Sequence, residues 1–266
     1  MSVRRQLLLA RWAVFALCAL AIFATTRVAD LPVSWLLAVG LLAGVRPVQR
    51  RANRFIAHRA FVKLYGTMNE ERFEDAHALL GDLRRVYARS ASALELLRVH
   101  EGSVLVLEGR FVDAARLLDS VDRRKLEPAL VPWFLNNLAW ALARGGEGAR
   151  AVTIARESID ASGASGDVAR TSEDLRACQL GTLGAALFVA GQPGDAIDPL
   201  EQAIARGGAP RHQAARGFYL GEALHALGRE DEARTAWKRA SEAAPSHDLG
   251  RRARDRLEGA TTPYRA

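Results

Sequence analysis

Six histidines (His58, His77, His100, His212, His225, His247) and two cysteines (Cys18, Cys178) are the side chains best suited to metal binding, proton transfer or nucleophilic attack. Their spacing serves none of these. No two histidines stand four apart, as a helical zinc pair requires, and two cysteines make neither a disulfide framework nor a four-thiolate site. Both thiols are expected to be buried and unreactive. No phosphate loop, dinucleotide fingerprint or nucleophile elbow occurs, and Gly145-Gly146-Glu147-Gly148 falls where a helix turn needs glycine for its backbone. Nothing pairs the dispersed carboxylates and serines. The expectation is a protein that is not an enzyme, with no cofactor and no metal.

The pattern that does recur is structural. Arg110-Phe111-Val112-Asp113-Ala114, Gln192-Pro193-Gly194-Asp195-Ala196 and Arg229-Glu230-Asp231-Glu232-Ala233 each follow a glycine: Gly109, Gly191 and Gly228. Weaker copies run from Gly146 to Ala151 and from Glu71 to Ala76. The closing alanines are 38, 37, 45 and 37 residues apart, the period of stacked helical hairpins. Glycine ends one helix in the left-handed conformation, and the acid then complements the positive end of the next helix. Twelve residues before four of the alanines stands a small residue: Gly102, Ala139, Gly184 and Gly221. Glycine inside a helix costs about 1 kcal/mol relative to alanine, so its recurrence predicts close crossing, with Ala114, Ala151, Ala196 and Ala233 facing these positions. Ser162 to Asp167, in the widest gap, reads as a loop, and Thr171 to Asp174 as a helix start.

These residues resemble the tetratricopeptide repeat family. The last copy carries the resemblance most fully, with Gly217, Leu220, Gly221, Leu224, Gly228, Ala233, Trp237, Ala240 and Pro245 at the family's signature spacings. The copies before it match through Leu180, Leu183, Gly184, Leu187, Gly191, Ala196, Leu200 and Ala203, and through Leu135, Leu138, Ala139, Leu142, Gly146, Ala151 and Ala155. Copy two is weaker, with Glu101 where leucine is usual, and the first hairpin, with Lys63 and Leu64 at its centre, is only tetratricopeptide-like. The resemblance implies an inner groove that binds peptides or protein segments. Carried over position by position, it places Trp133, Asn136, Trp140, Phe188, Phe218, Glu222 and His225 in that groove, with Asn137 adjoining. Thr182, Ala215 and Tyr219 stand where a clamp for a terminal carboxylate would want an amide and bases, which argues against that subclass.

The charge of +7 is concentrated at one end. Residues 1–59 hold nine arginines and one acid, whereas the remainder is nearly neutral, which argues against nucleic acid as a partner. Leu7 to Ala24 and Leu31 to Val45 are apolar runs of about 27 and 22 Å if helical, separated by a six-residue break. Arg4, Arg5 and Arg11 flank them on one side and Arg46, Arg50, Arg51 and Arg54 on the other, a distribution that places both ends of a membrane hairpin in the cytoplasm. The rival reading is a signal peptide cleaved after Ala19-Leu20-Ala21, disfavoured by the second run that follows at once. Interleaved apolar and basic residues from Arg46 to Lys63 suit contact with anionic lipid, or an ordinary solvated helix face.

The sequence therefore predicts an all-α chain. A transmembrane helical hairpin (1–48) and a basic juxtamembrane segment (49–56) lead into five repeat hairpins (57–245), a capping helix (246–258) and a tail (259–266). It reads as a multi-pass protein of the bacterial cytoplasmic membrane whose repeats scaffold protein partners on the cytoplasmic side. The alternatives are a periplasm-facing assembly factor, or a regulatory subunit of a membrane enzyme or transporter.

Overall fold

The computed structural model describes residues 3–28, 51, 55–56, 58–164 and 173–259, and every regular element among them is helical. They form two compact units, Met1–Leu97 and Arg98–Ala266. The first contains α1 (Val3–Val28), α2 (58–69), α3 (Phe73–Val86) and the start of α4 (Ala91–Leu107). The second contains the rest of α4, then α5 (Phe111–Asp119), α6 (Val131–Arg144), α7 (Gly148–Ala164), α8 (Glu173–Val189), α9 (Pro193–Ala205), α10 (Pro210–Ala226), α11 (Glu230–Ala243) and α12 (Asp248–Leu257). Two short 3-10 turns, Arg123–Lys125 and Pro128–Leu130, join α5 to α6.

The hairpin turns form as their residues dictate. Gly109, Gly146, Gly191 and Gly228 have φ of 77°, 88°, 77° and 75°, the left-handed region that only glycine enters freely. The residue after each donates its N–H five residues back: Arg110 to Leu105, Glu147 to Leu142, Gln192 to Leu187 and Arg229 to Leu224, at 2.9 to 3.0 Å. This bond satisfies a carbonyl that the helix end would leave bare. The first hairpin makes the same turn without glycine. Glu71 takes φ 56°, and Arg72 donates to the Thr67 carbonyl at 2.9 Å. Asp113, Asp195 and Glu230 to Glu232 occupy the first turns of α5, α9 and α11, as expected.

The close crossing is present; the Ala196 backbone meets Gly184 as expected, but the nearest partner of each notch is the residue one turn beyond the alanine. A Cβ added to Gly102 would lie 2.5 Å from Leu118, one on Gly184 2.4 Å from Leu200, and one on Gly221 2.4 Å from Trp237. Each of these is four residues beyond the closing alanine, one helical turn further along the same face. The alanines are fully buried, yet it is the large side chain that fills the notch glycine leaves. In the third copy the sizes are evened out, with Ala139 at the notch and Ala155 at the filling position, both buried.

Ser162 to Ala164, expected in a loop, instead extend α7, and residues 165–172 lie outside the described residues. The register of α8 against α7 is held by a polar clamp. The fully buried Gln179 donates to the Ser158 carbonyl (2.8 Å), the Ser158 hydroxyl (2.9 Å) and the Ser162 hydroxyl (2.8 Å), while Ser158 Oγ donates to the Pro132 carbonyl at 2.8 Å. At the far end α12 buries Leu249 and Ala253 as a closing helix should. Its arginines do not all face solvent, because Arg256 turns inward.

No helix among the described residues is long and apolar enough to cross a membrane. The first apolar run is α1, which lies alongside α3 within its unit and exposes Leu8, Leu9, Trp12, Leu17 and Leu20. The second run, Leu31 to Val45, lies outside the described residues, so the expected transmembrane hairpin is not seen as a structure. Arg5 and Arg51 are exposed, Arg4 and Arg11 are placed on α1 by their backbone, and Arg46, Arg50 and Arg54 lie outside the described residues.

Trp237 is rigid and 3% exposed, so Gly221→Ala cannot be absorbed by a small shift. Overpacking of this kind costs about 1–3 kcal/mol and should outweigh the gain in helix propensity, giving a lower midpoint in urea denaturation than the parent chain.

Candidate inner-face site

In the second unit α6, α8, α10 and α12 pack in succession, and their facing side chains make the site. Trp133, Asn137, Trp140 and Arg144 recur at intervals of three and four along α6, one stripe of a helix. Trp140 meets Tyr219 of α10 edge to face, with ring centroids 6.0 Å apart. Phe188 of α8 approaches the same tyrosine at 6.0 Å, and Phe218 at 5.5 Å. Tyr219 is fully buried and is the centre of the cluster. Edge-to-face aromatic contacts of this type add about 0.5–1.5 kcal/mol beyond their buried area. α6 therefore reaches past α8 to α10, and three of the aromatic residues expected to grip a peptide pack around Tyr219.

Charge closes the two ends of this face. Arg144, 7% exposed, donates to Asp248 Oδ2 of α12 at 2.8 Å, and its guanidinium lies 4.2 Å from the Phe111 ring centroid and 5.7 Å from that of Trp140. A cleft of about 290 Å³ opens beside it, lined by Phe111, Val112 and Gly145. Arg252 and Arg144 hold the Asp248 carboxyl below its ordinary range against a burial effect of opposite sign. Glu222 of α10, 3% exposed, accepts two hydrogen bonds from Arg256 at 2.8 and 2.7 Å. Breaking a buried pair by removing one partner costs about 3–5 kcal/mol, because the remaining charge stays desolvated.

The expected groove residues thus divide. Trp140, Phe188 and Phe218 come together, and Glu222 joins them on the inner face. Asn136 is 7% exposed, and its Oδ1 has no hydrogen-bond partner among the described residues. Asn137 donates to Ser103 Oγ of α4 at 2.9 Å, a contact between neighbouring repeats. Trp133 is 38% exposed at the open end of the stripe. His225 leaves the cluster, pairing with Glu230 across the hairpin turn at 2.7 Å. Tyr219 and Arg144 were not legible as site residues. In the sequence Tyr219 stands where a carboxylate clamp would want a base, and Arg144 only ends its helix, 104 residues from the Asp248 beside it.

At the other end of α10, His212 Nδ1 stands 3.8 Å from Cys178 Sγ of α8 and one turn from Arg216. Cys178 is half-buried rather than fully buried. Burial pushes its thiol up despite the opposing influence of Arg216, so the pair makes no ready nucleophile. Arg216 instead donates to the Ala203 carbonyl at 2.9 Å and to that of Gly207, closing the C-terminal end of α9. Among the described residues no group of three or more histidine, cysteine or acidic side chains can hold a metal ion.

No protein-family model matches the chain. The search of curated proteins finds no match either. Among solved structures, two crystal structures of nearly identical TPR-like repeats, from a kinesin light chain candidate of Podosopora anserina, share this fold. They superpose with TM-scores of 0.51 and 0.50 at 17% identity, covering 70% and 72% of this chain and 93% and 96% of theirs. The likeness shows an all-helical solenoid of tetratricopeptide-like hairpins.

Trp140→Ala should lower stability by about 2–4 kcal/mol in urea denaturation, because it empties the contact with Tyr219, whereas Trp133→Ala should change it by less than about 0.5 kcal/mol. A second expectation concerns acid. Burial pushes His100 down to about 4, and burial with the nearby Arg211 and Arg216 pushes His212 down to about 4, against an ordinary value of 6.5. Below pH 6.5 the unfolded chain takes protons that the folded chain refuses, so stability falls as pH drops from 6.5 towards 4. His212→Gln should flatten that slope in denaturation series run at pH 7, 6, 5 and 4.5.

Proposed function

We propose that this chain is a non-enzymatic scaffold that holds a protein partner on the inner face of its repeats and is tethered to the cytoplasmic membrane by its apolar N-terminal region. One observation carries the scaffold reading: α6, α8 and α10 turn an aromatic cluster, a buried arginine and a buried glutamate to one face. Asn136 supports it, as its buried carbonyl oxygen is without a donor among the described residues. A hydrogen-bonding partner group there would relieve a desolvation penalty of about 1–3 kcal/mol. Trp133, Asn136, Asn137, Trp140, Phe188, Phe218, Glu222 and His225 are the residues from which contact is to be sought, Trp133 first because it is exposed.

The membrane reading rests on the flanking arginines and on the apolar, exposed side of α1. The orientation follows from the arginine distribution, with Arg4, Arg5, Arg11, Arg46, Arg50, Arg51 and Arg54 on the cytoplasmic side and in reach of anionic lipid.

A photo-crosslinking residue placed at position 133 in the native cell tests the scaffold reading, with position 153 on the exposed side of α7 as the control. The expected result is a discrete protein adduct from 133 that is missing from 153. Identical adduct patterns from both positions would remove the inner face from the proposal. Membrane tethering predicts that the full chain sediments with membranes through an alkaline carbonate wash, and that a chain starting at residue 46 does not.

A further inference from the structure

The last helix is joined to the stack by more than apolar packing. Asp248 and Arg256 stand eight residues apart on α12, about 12 Å along the helix. The first meets Arg144 at 2.8 Å and the second meets Glu222 at 2.7 Å. Between them Leu249, Gly250 and Ala253 are buried. The body of the unit therefore presents a buried cation on α6 and a buried anion on α10, and α12 answers each with its opposite. A closing helix requires only an apolar inner side and a polar outer one. With α12 in place Arg144 and Glu222 are 7% and 3% exposed, so a helix seated there must supply an acid to the one and a base to the other.

The attachment of α12 also depends on close packing at one point. Ala244 to His247 join it to α11, and Pro245 within that link has no N–H to extend α11. The helix rests directly on the end of α11, where a Cβ on Gly250 would lie 2.0 Å from the Ala244 carbonyl oxygen. A side chain at this position has nowhere to go, because the obstacle is backbone.

We propose that α12 is a displaceable occupant of the inner face. The face is a receptor for a helix that carries a carboxylate and, eight residues later, an arginine, with leucine and small residues between. This deepens the scaffold reading and rests on it: the partner replaces α12 charge for charge, with its acid on Arg144 and its arginine on Glu222.

The probe is a fluorescent synthetic peptide of residues 246–258, titrated by anisotropy into the full chain and into its Gly250→Ala variant, which loosens α12 without altering any charge. Gly250→Ala is expected to bind the peptide at least about tenfold more tightly than the parent chain, since its own helix no longer competes. Adding Glu222→Lys should abolish that binding, and so should a peptide in which the positions of the aspartate and the arginine are exchanged. Equal binding to parent and variant, or binding indifferent to the exchanged charges, would overturn the proposal. So would α12 amides that remain as protected from hydrogen exchange as in the parent chain in both Gly250→Ala and the doubly substituted Asp248→Asn, Arg256→Gln, because α12 would then be a fixed cap. Loss of the crosslinked adduct at position 133 with peptide binding intact would count against the scaffold reading alone.

Discussion

Three hairpins of the second unit are set by one helix giving up volume where its partner fills it, and the α6–α7 hairpin has Ala139 and Ala155 at the same places. Gly102, Gly184 and Gly221 leave notches that Leu118, Leu200 and Trp237 enter at distances that forbid even a methyl group. The exchange fixes how far one helix slides along the other, and with it the direction of every other side chain on both. A glycine in mid-helix is unfavourable for the isolated helix by about 1 kcal/mol, and burying the leucine or indole contributes about 1.5–3 kcal/mol in the opposite direction. Once the paired helices are set in this way, the first helix of each pair must turn one stripe inward, and that stripe is where chemistry accumulates.

What accumulates there is unusual for a surface offered to a partner. Trp140, Phe188, Phe218 and Tyr219 satisfy one another, and Arg144 and Glu222 are buried together with counter-ions supplied by α12. A face of this kind is preorganised, since its aromatic rings are held around Tyr219. Binding to it means exchange rather than simple addition, and the cost of ordering receptor side chains has been met during folding.

The turns and the period were legible because a left-handed residue at a helix end has one good solution, and Gly109, Gly146, Gly191 and Gly228 announce it. The first hairpin shows the limit of that signal, since Glu71 adopts the same conformation without the residue that would declare it. The facing of the small positions was legible in register but not in partner. Alanine repeats at a fixed distance and draws the eye, whereas the residue that fills the notch varies among Leu118, Ala155, Leu200 and Trp237. The inner-face ion pairs were not legible at all. Arg144 and Asp248 are 104 residues apart, and nothing local distinguishes either from an ordinary helix-terminal charge. Of the residues the resemblance named, Trp140, Phe188 and Phe218 all meet Tyr219, whereas His225 pairs with Glu230 at the turn.

The clamp made by Gln179 sets register by other means. Where the repeat spacing lengthens, the alignment of α7 with α8 is written in three hydrogen bonds to Ser158 and Ser162 and not in the length of chain that joins the two helices. Alignment and connection are thereby uncoupled. A register held by side-chain bonds differs in kind from one held at Gly109, Gly146, Gly191 and Gly228, where the turn itself carries the alignment.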